Sequence, residues 1–193
     1  MRVYVVDDDQ AVLETLARAI DRFGHQTFTF GNALKFLDAV PMLDLGCVFL
    51  DYCMPDIDGL AVQQRLAEMN CLHPVVLLTG IGEVPEAVAA MRAGAIDFLR
   101  KPIRHAALSE ALTRVENRLA QLDRFAALSS LTDREREVLI ALADGKPTKI
   151  VAHDIGISTR TVEAHRSAVL HKLGVLNMTA AVLMAQQAGL LAA

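Results

Sequence analysis

The sequence predicts an α/β domain with a doubly wound, five-stranded parallel sheet, followed by an all-α domain of four short helices. Three observations carry this. The chain has 193 residues, more than one small domain needs at about 100 to 150 residues each. Its first 100 residues alternate short apolar runs with longer helical patterns, as a parallel sheet covered on both faces requires. After Ser129-Ser130 the strand signals stop and only short helical segments with turns between them remain.

The strand runs are Arg2 to Val6, Gln26 to Phe30, Cys47 to Leu50, Pro74 to Leu78 and Asp97 to Arg100. Between them, apolar residues recur at three and four spacing: Val12, Leu13, Leu16, Ile20 and Phe23; Leu34 and Leu37; Leu60, Val62, Leu66 and Met69; Val84, Val88 and Met91. A fifth helix starts near Ile103 and carries a heptad seam, Leu108, Leu112, Val115, Leu119, Leu122 and Ala126, with no Gly or Pro to end it. Leu108, Leu112 and Val115 are expected against the sheet. Leu119, Leu122 and Ala126 lie further on and need another partner, either a second chain or the C-terminal helices.

In the C-terminal part, Thr132-Asp-Arg-Glu135 has the spacing of a capping box, and Gly145 and Pro147 separate the first helix from the second. Gly156-Ile-Ser158 separates the second from the third, with Ser158 a natural N-cap, and Gly174 closes the third. A fourth runs from about Thr179 to Gln187. A Gly-containing turn between the second and third helices suggests a helix-turn-helix.

With 53% hydrophobic and 22% charged residues the chain can bury a core, which excludes a disordered or collagen-like protein. Its longest apolar runs fall far short of the roughly 18 residues of a membrane span, and Met1-Arg-Val-Tyr-Val-Val runs straight into Asp7, Asp8 and Asp9, so neither a signal peptide nor a membrane partner is expected. Cys47, Cys53 and Cys71 lack the spacing of a disulfide framework or a zinc site, and a reducing cytoplasm is the expected location. The net charge of -4 is uneven: residues 1–124 hold 12 Lys or Arg against 17 Asp or Glu, and residues 125–193 hold 7 against 6. The acidic part could hold a cation, whereas the mild balance of the other does not by itself announce a nucleic-acid surface.

Ligands of a doubly wound sheet bind at the carboxyl ends of its strands. Asp7 and Asp8 end the first strand, Asp51 the third, Thr79 the fourth and Lys101 the fifth. Three carboxylates brought together raise a pKa or demand a cation, and Mg²⁺ fits because it takes a few carboxylate oxygens and leaves positions for water and phosphate. With Lys101 as ammonium and Thr79 as hydroxyl donor, the set makes a cradle for a phosphoryl group in which Asp51 is the acceptor. Taken singly, an Asp at a strand end is more often a helix cap and a Lys is usually solvated; the joint placement carries the reading.

Val5-Val-Asp7-Asp8, Leu50-Asp51-x-x-Met54-Pro55-x-x-x-Gly59, Leu78-Thr79-Gly80 and Lys101-Pro102 stand in the order and spacing of a bacterial response-regulator receiver domain, a flavodoxin-like fold, and the resemblance covers about residues 1–120. It implies phosphorylation of Asp51 and Mg²⁺ held by Asp8, Asp51 and the backbone carbonyl of Cys53, with Asp7 reaching the ion through water. Thr79 and Lys101 would contact the phosphoryl group, Phe98 would be the switch aromatic that turns inward with Thr79, and Lys101-Pro102 resembles the family's cis peptide. Cys53 and Ile81 cannot position an attacking water, so self-dephosphorylation is expected to be slow. A redox role for Cys53 is disfavoured, because a thiol beside acidic groups keeps a high pKa.

Leu131-Thr132-x-Arg134-Glu135-x-Glu137-Val138-Leu139, Ala143-x-Gly145, Ile157-Ser158-x-x-Thr161-Val162-x-x-His165 and Lys172-Leu173-Gly174-Val175 resemble the LuxR-type helix-turn-helix over about residues 128–193. Together the two motif sets resemble the NarL/FixJ class of two-component transcription regulators, and Thr79-Gly-x-Gly-x-Val-Pro85 leans toward FixJ. The division expected is a receiver over 1–118, a helical linker over 119–127 and the DNA-binding domain over 128–193. By periodicity Val162, His165, Val169, Lys172 and Leu173 share one side of the third helix, leaving Arg160, Glu163, Ala164, Ser167 and His171 for the major groove. Glu163 can accept from cytosine and Ala164 can touch a thymine methyl, while Lys149, Arg160, Thr161 and Arg166 suit phosphates. Thr159 and Lys172 complete the expected DNA-contact set. Asp154 and Met178 stand where the family is commonly basic and Ile150 where it is usually polar, so non-specific DNA affinity should be modest.

The resemblance implies a histidine kinase as phosphodonor, promoter DNA as target, a homodimer when phosphorylated and RNA polymerase as a further partner; chemistry is limited to the receiver's own phosphotransfer and dephosphorylation. Two other readings stay open from the residues. A Mg²⁺-dependent phosphatase would share Asp51 and Lys101 but needs a second acid where Cys53 stands, and a protein-interaction module would use the C-terminal helices without binding duplex DNA.

Overall fold

The computed structural model describes residues 1–80 and 91–191. The chain divides into two compact units, Met1–Leu119 and Ala120–Ala193. In the first, five parallel strands stand in the order β2-β1-β3-β4-β5: β1 Arg2–Val6, β2 Gln26–Phe30, β3 Cys47–Asp51, β4 Val75–Thr79 and β5 Asp97–Arg100. Their bounds match the apolar runs except that β3 extends to Asp51 and β4 is shifted by one residue to end on Thr79. Helices α1 Gln10–Arg22, α2 Ala33–Ala39 with a 3-10 turn over Val40–Met42, α3 Gly59–Glu68 and α4 His105–Ser129 join them, the last running on into the second unit. The expected helix through Val84 and Val88 falls on residues 81–90, outside the described residues, as does Ile81.

Both faces of the sheet are covered, and strand alternation decides which residue goes where. Val3 and Val5, Cys47 and Phe49, and Val76 and Leu78 pack on one face with Leu13, Leu16 and Ile20 of α1 and Leu108, Leu112 and Val115 of α4. Tyr4 and Val6, Val48 and Leu50, and Val75 and Leu77 pack on the other, against Phe36 and Leu37 of α2 and Val62 and Leu66 of α3. Nearly continuous apolar strands are what burial on both faces demands. Burial also pushes the Cys47 thiol well above its ordinary pKa, which leaves it an unreactive core side chain.

Turn chemistry places the helices over the strand ends. The Asp9 carboxylate accepts from the N–H groups of Ala11 and Val12 and caps α1, Asn32 caps α2 through Lys35 N–H, and Asp58 caps α3 through Ala61 N–H. Gly59, at the start of α3, lies so close to β3 that an added Cβ would stand 2.5 Å from the Asp51 carbonyl oxygen and 2.9 Å from the Tyr52 Cα.

The connector helix α4 corrects the expected seam. Leu119 packs against the core of the first unit with Val115, Leu122 is half-buried and Ala126 is exposed. In the second unit it is Leu128, not Ala126, that enters the core, beside half-buried Ala127. A heptad read along one dimension gives the period and not the partner: about five turns on from Leu108 a straight helix brings Ala126 to the same side, and the C-terminal core takes up Leu128 from another side of the helix instead.

The second unit adds α5 Asp133–Ala143, α6 Thr148–Asp154, α7 Thr159–Leu173 and α8 Met178–Gln187. Leu131, Leu139, Val169, Leu173, Ala181 and Ala185 make one core cluster, and Val138, Val151, Ala152 and Val162 make the other. Ser158 caps α7 by accepting from Thr161 N–H, and Gly174 ends it in the left-handed conformation at φ 63°. The Thr132 capping box on α5 is formed, and its Glu135 also receives the Lys172 ammonium of α7 at 2.6 Å. Among the described residues no single helix is long and apolar enough to cross a membrane.

Two outcomes follow from this packing. Gly59→Ala should lower the stability of the N-terminal unit by roughly 1 to 3 kcal/mol, since the contacted atoms are backbone and cannot swing away; thermal unfolding against the parent chain checks it, and an unchanged midpoint contradicts it. For Glu135, the hydrogen bond from Lys172 and then the Thr132 N–H hold the carboxyl below its ordinary value of 4.5. The charge therefore stabilises the fold above that value, and the benefit is lost as pH falls through the lower folded pKa. Glu135→Gln should unfold at lower temperature than the parent at neutral pH, with the gap closing in acid.

Candidate phosphoryl site and nucleic-acid interface

At the carboxyl edge of the sheet β1 delivers Asp7 and Asp8, β3 delivers Asp51, β4 delivers Thr79 and the segment after β5 delivers Lys101. The Asp7, Asp8 and Asp51 carboxylates each offer an oxygen within 4.8 Å of the others. Lys101 Nζ stands between two of them, 2.6 Å from Asp7 Oδ2 and 2.6 Å from Asp51 Oδ1. Asp7, Asp51 and Thr79 are buried, whereas Asp8 and Cys53 are exposed at the mouth. Backbone bonds tie the parts together: Lys101 N–H donates to the Thr79 carbonyl at 2.8 Å, Tyr52 N–H to the Leu78 carbonyl at 2.9 Å and Asp9 N–H to Asp7 Oδ1 at 2.9 Å. The Lys101-Pro102 peptide is cis.

Burial raises the Asp51 pKa, opposed by the hydrogen bond from Lys101 and reinforced by the charges of Asp7 and Asp8. Burial alone would depress Lys101, but its hydrogen bonds and charge interactions with Asp51 and Asp7 outweigh this and hold the ammonium above its ordinary pKa. One fixed positive charge thus faces three carboxylates. That donor set fits a divalent cation of the hard, oxygen-preferring kind, with Asp8 open to solvent on the approach side. The loop after β3, which carries Cys53, is pinned by a bond that sequence reasoning missed: Asn32 Nδ2 donates to Asp56 Oδ2 at 2.7 Å. The partners are 24 residues apart, and no local pattern links them.

Phe98, the expected switch aromatic, lies outward in this structure. It is 45% exposed while its neighbour Leu99 is buried, because on β5 the two residues point to opposite faces and Leu99 takes the core position.

On α7, Thr159, Arg160, Glu163, Ala164, Ser167 and His171 are exposed, in agreement with the periodicity, and Thr161, His165 and Arg166 are half-buried. Lys149 is exposed on α6. Glu163 Oε2 lies 3.6 Å from Arg166 Nη1. Lys172, also in the expected DNA-contact set, is exposed, and its ammonium donates to Glu135 Oε2 at 2.6 Å and to the Ser130 carbonyl at 3.3 Å, which ties α7 to the start of α5. Asp154 pairs with Lys146 at 2.9 Å, and Met178 packs against the core cluster, so neither dresses the surface with added positive charge.

Residues 3–113 match the response regulator receiver domain family, and residues 129–185 match the bacterial regulatory proteins of the luxR family. The transcriptional regulatory protein FixJ of Bradyrhizobium diazoefficiens is 36% identical over 98% of this chain and 96% of its own, and that of Azorhizobium caulinodans is 39% identical over 97% and 92%. Crystal structures of full-length FixJ from B. japonicum align at a TM-score of 0.59 and 36% identity, covering 98% of each chain. A structure of the response regulator StyR aligns at 0.58 and 34% identity over 96% of this chain and 98% of the other. With two family matches in the order of the two compact units and relatives of this identity over nearly the full length, the chain belongs to the two-component response regulators that join a receiver domain to a LuxR-type DNA-binding domain, and it is a FixJ-like transcriptional regulator.

Proposed function

We propose that Asp51 accepts a phosphoryl group from the phosphohistidine of a partner kinase and that the modified protein dimerises on promoter DNA. The observation that carries this reading is the convergence of Asp7, Asp8, Asp51 and the Lys101 ammonium at one sheet edge. In the transfer the kinase's N–P bond breaks as Asp51 forms an acyl phosphate. The donor histidine leaves as neutral imidazole. Mg²⁺, held by Asp8, Asp51, the Cys53 carbonyl and, through water, Asp7, would neutralise phosphoryl oxygens.

The chain's own residues supply the rest. Phosphorylation turns the Asp51 carboxylate into an uncharged acyl group whose bridging oxygen carries the phosphoryl, so the ammonium turns from Asp51 to the phosphoryl oxygens while keeping Asp7. Thr79, buried beside it, donates its hydroxyl to the same group. Because Lys101 N–H is bonded to the Thr79 carbonyl, the ends of β4 and β5 move as a pair, and Phe98 on β5 is placed to turn inward with Thr79. On DNA, Glu163, Ala164, Ser167 and His171 would face the bases of the major groove, with Lys149, Thr159, Arg160, Thr161, Arg166 and Lys172 toward the backbone. A homodimer doubles a groove contact that is weak alone. Contact with RNA polymerase completes the reading for promoter control.

Asp51→Asn should abolish labelling by acetyl phosphate, and Asp8→Ala should abolish it by loss of the cation. Lys101→Ala should retain some label without gaining DNA affinity. An acid-stable, base-labile adduct formed at the normal rate by Asp51→Asn moves the acceptor elsewhere.

On DNA, Arg166→Ala should weaken all sequences together and flatten the salt dependence by about one unit of slope. Ser167→Ala should instead alter the preference at one base pair, by about 1 to 3 kcal/mol. Binding profiles unchanged for both variants place the DNA surface on another face of the unit.

A further inference from the structure

Thr148 and Glu163 stand 15 residues apart on different helices, yet the Thr148 hydroxyl donates to Glu163 Oε1 at 2.9 Å. Thr148 is half-buried at the first turn of α6. Its hydroxyl is not occupied in capping that helix, since Pro147 holds the N-cap and no side chain caps it. Glu163 lies on the exposed stripe of α7 with half of its side chain open to solvent, at 51%. Its two oxygens therefore differ. Oε1 is held by a neutral donor from the neighbouring helix, and Oε2 has only the longer 3.6 Å approach of Arg166, one turn along its own helix.

A glutamate that reads a base must present an oxygen lone pair at a fixed place in the groove, and a free side chain with several rotatable bonds loses entropy when it is so fixed. A donor that sets the carboxylate beforehand reduces that loss. Thr148 suits this role because its β-branched side chain is stiff and its helix packs directly on α7. Its hydroxyl neutralises no charge, so the carboxylate stays a full acceptor.

We propose that Thr148 is a positioning residue for base recognition, its hydroxyl orienting the Glu163 carboxylate toward an exocyclic amino group in the major groove, of which cytosine N4 is the standard example. The inference rests on the reading that the exposed stripe of α7 faces DNA. A merely structural role is disfavoured by the setting, since a partly exposed neutral hydrogen bond adds little to stability.

The test uses the full chain treated with acetyl phosphate, selecting from a pool of duplexes with a randomised core and sequencing the bound fraction. Parent, Thr148→Val, Thr148→Ser, Glu163→Ala and the Val/Ala double variant are compared, with thermal unfolding and the salt slope measured on each. Thr148→Val should relax the preference by about threefold to tenfold at the one base pair that Glu163→Ala relaxes, and nowhere else. Thr148→Ser should retain it. Adding Thr148→Val to Glu163→Ala should change nothing further, and salt slope and unfolding midpoint should match the parent. If Glu163→Ala alters a preference and Thr148→Val does not, the positioning role is wrong. If Thr148→Val weakens every sequence equally, its hydroxyl serves the backbone or the fold, and the proposal falls. If Glu163→Ala leaves every preference intact, it is the DNA-facing assignment of this glutamate that fails, and the proposal with it.

Discussion

The Lys101 ammonium, 2.6 Å from both Asp7 and Asp51, is the contact on which the N-terminal site depends. Parallel strands in the order 2-1-3-4-5 bring the ends of β1, β3, β4 and β5 to one edge, and that edge receives Asp7, Asp8 and Asp51 together. Two of these carboxylates are buried, and without a counter-charge they would repel each other in a medium that screens poorly. Lys101 relieves this only in part. Among the described residues, one ammonium against three carboxylates leaves an acidic site that can accept further positive charge.

A second ion pair has the corresponding place in the C-terminal unit, with the opposite consequence. Glu135 accepts from the Thr132 N–H and from Lys172, so a helix start and the recognition helix share one carboxylate. Both side chains are thereby engaged within the fold. What remains on the exposed stripe of α7 is a mixed set, with Arg160, Glu163, Ser167 and His171, rather than a basic one. Lys146 is likewise paired to Asp154. On the proposed reading, a stripe of this mixed charge would gain less from counterion release than a basic one, and more of its selectivity would come from groups such as Glu163.

The two-face packing of the sheet was legible in the sequence because every strand is a short run bounded by a polar residue, and because period-2 alternation and helical period are local properties. The edge cluster was legible for the same reason: a residue that ends a strand lies at its carboxyl edge whatever the rest of the chain does. Contacts between distant residues were not. Nothing near Lys172 marks it as a partner of Glu135, 37 residues away, and nothing near Asn32 marks Asp56. The connector shows a third limit. Its seam gives the right faces for Leu108, Leu112 and Val115, but placing Leu119 with the sheet and Leu128 rather than Ala126 in the C-terminal core required knowing where each core ends.

Phosphorylation at Asp51 can bias a conformational equilibrium only by the difference in interaction energy between its states. Moving a population from 1:99 to 99:1 requires about 5.5 kcal/mol. Under the proposed phosphotransfer Lys101 would contribute only a fraction, since it would give up Asp51 as it took the phosphoryl oxygens, an exchange of one charged contact for another. The remainder must come from surface that one state buries and the other leaves open. At about 25 cal/mol per Å² the full difference corresponds to roughly 220 Å² of apolar area, on the order of one or two large side chains. The connector carries such area: Phe125 is 63% exposed, with Leu122 half-buried one turn before it. A modest electrostatic exchange at the sheet edge is therefore enough when it is coupled to burial of a few apolar groups, and an isolated change at Asp51 is not.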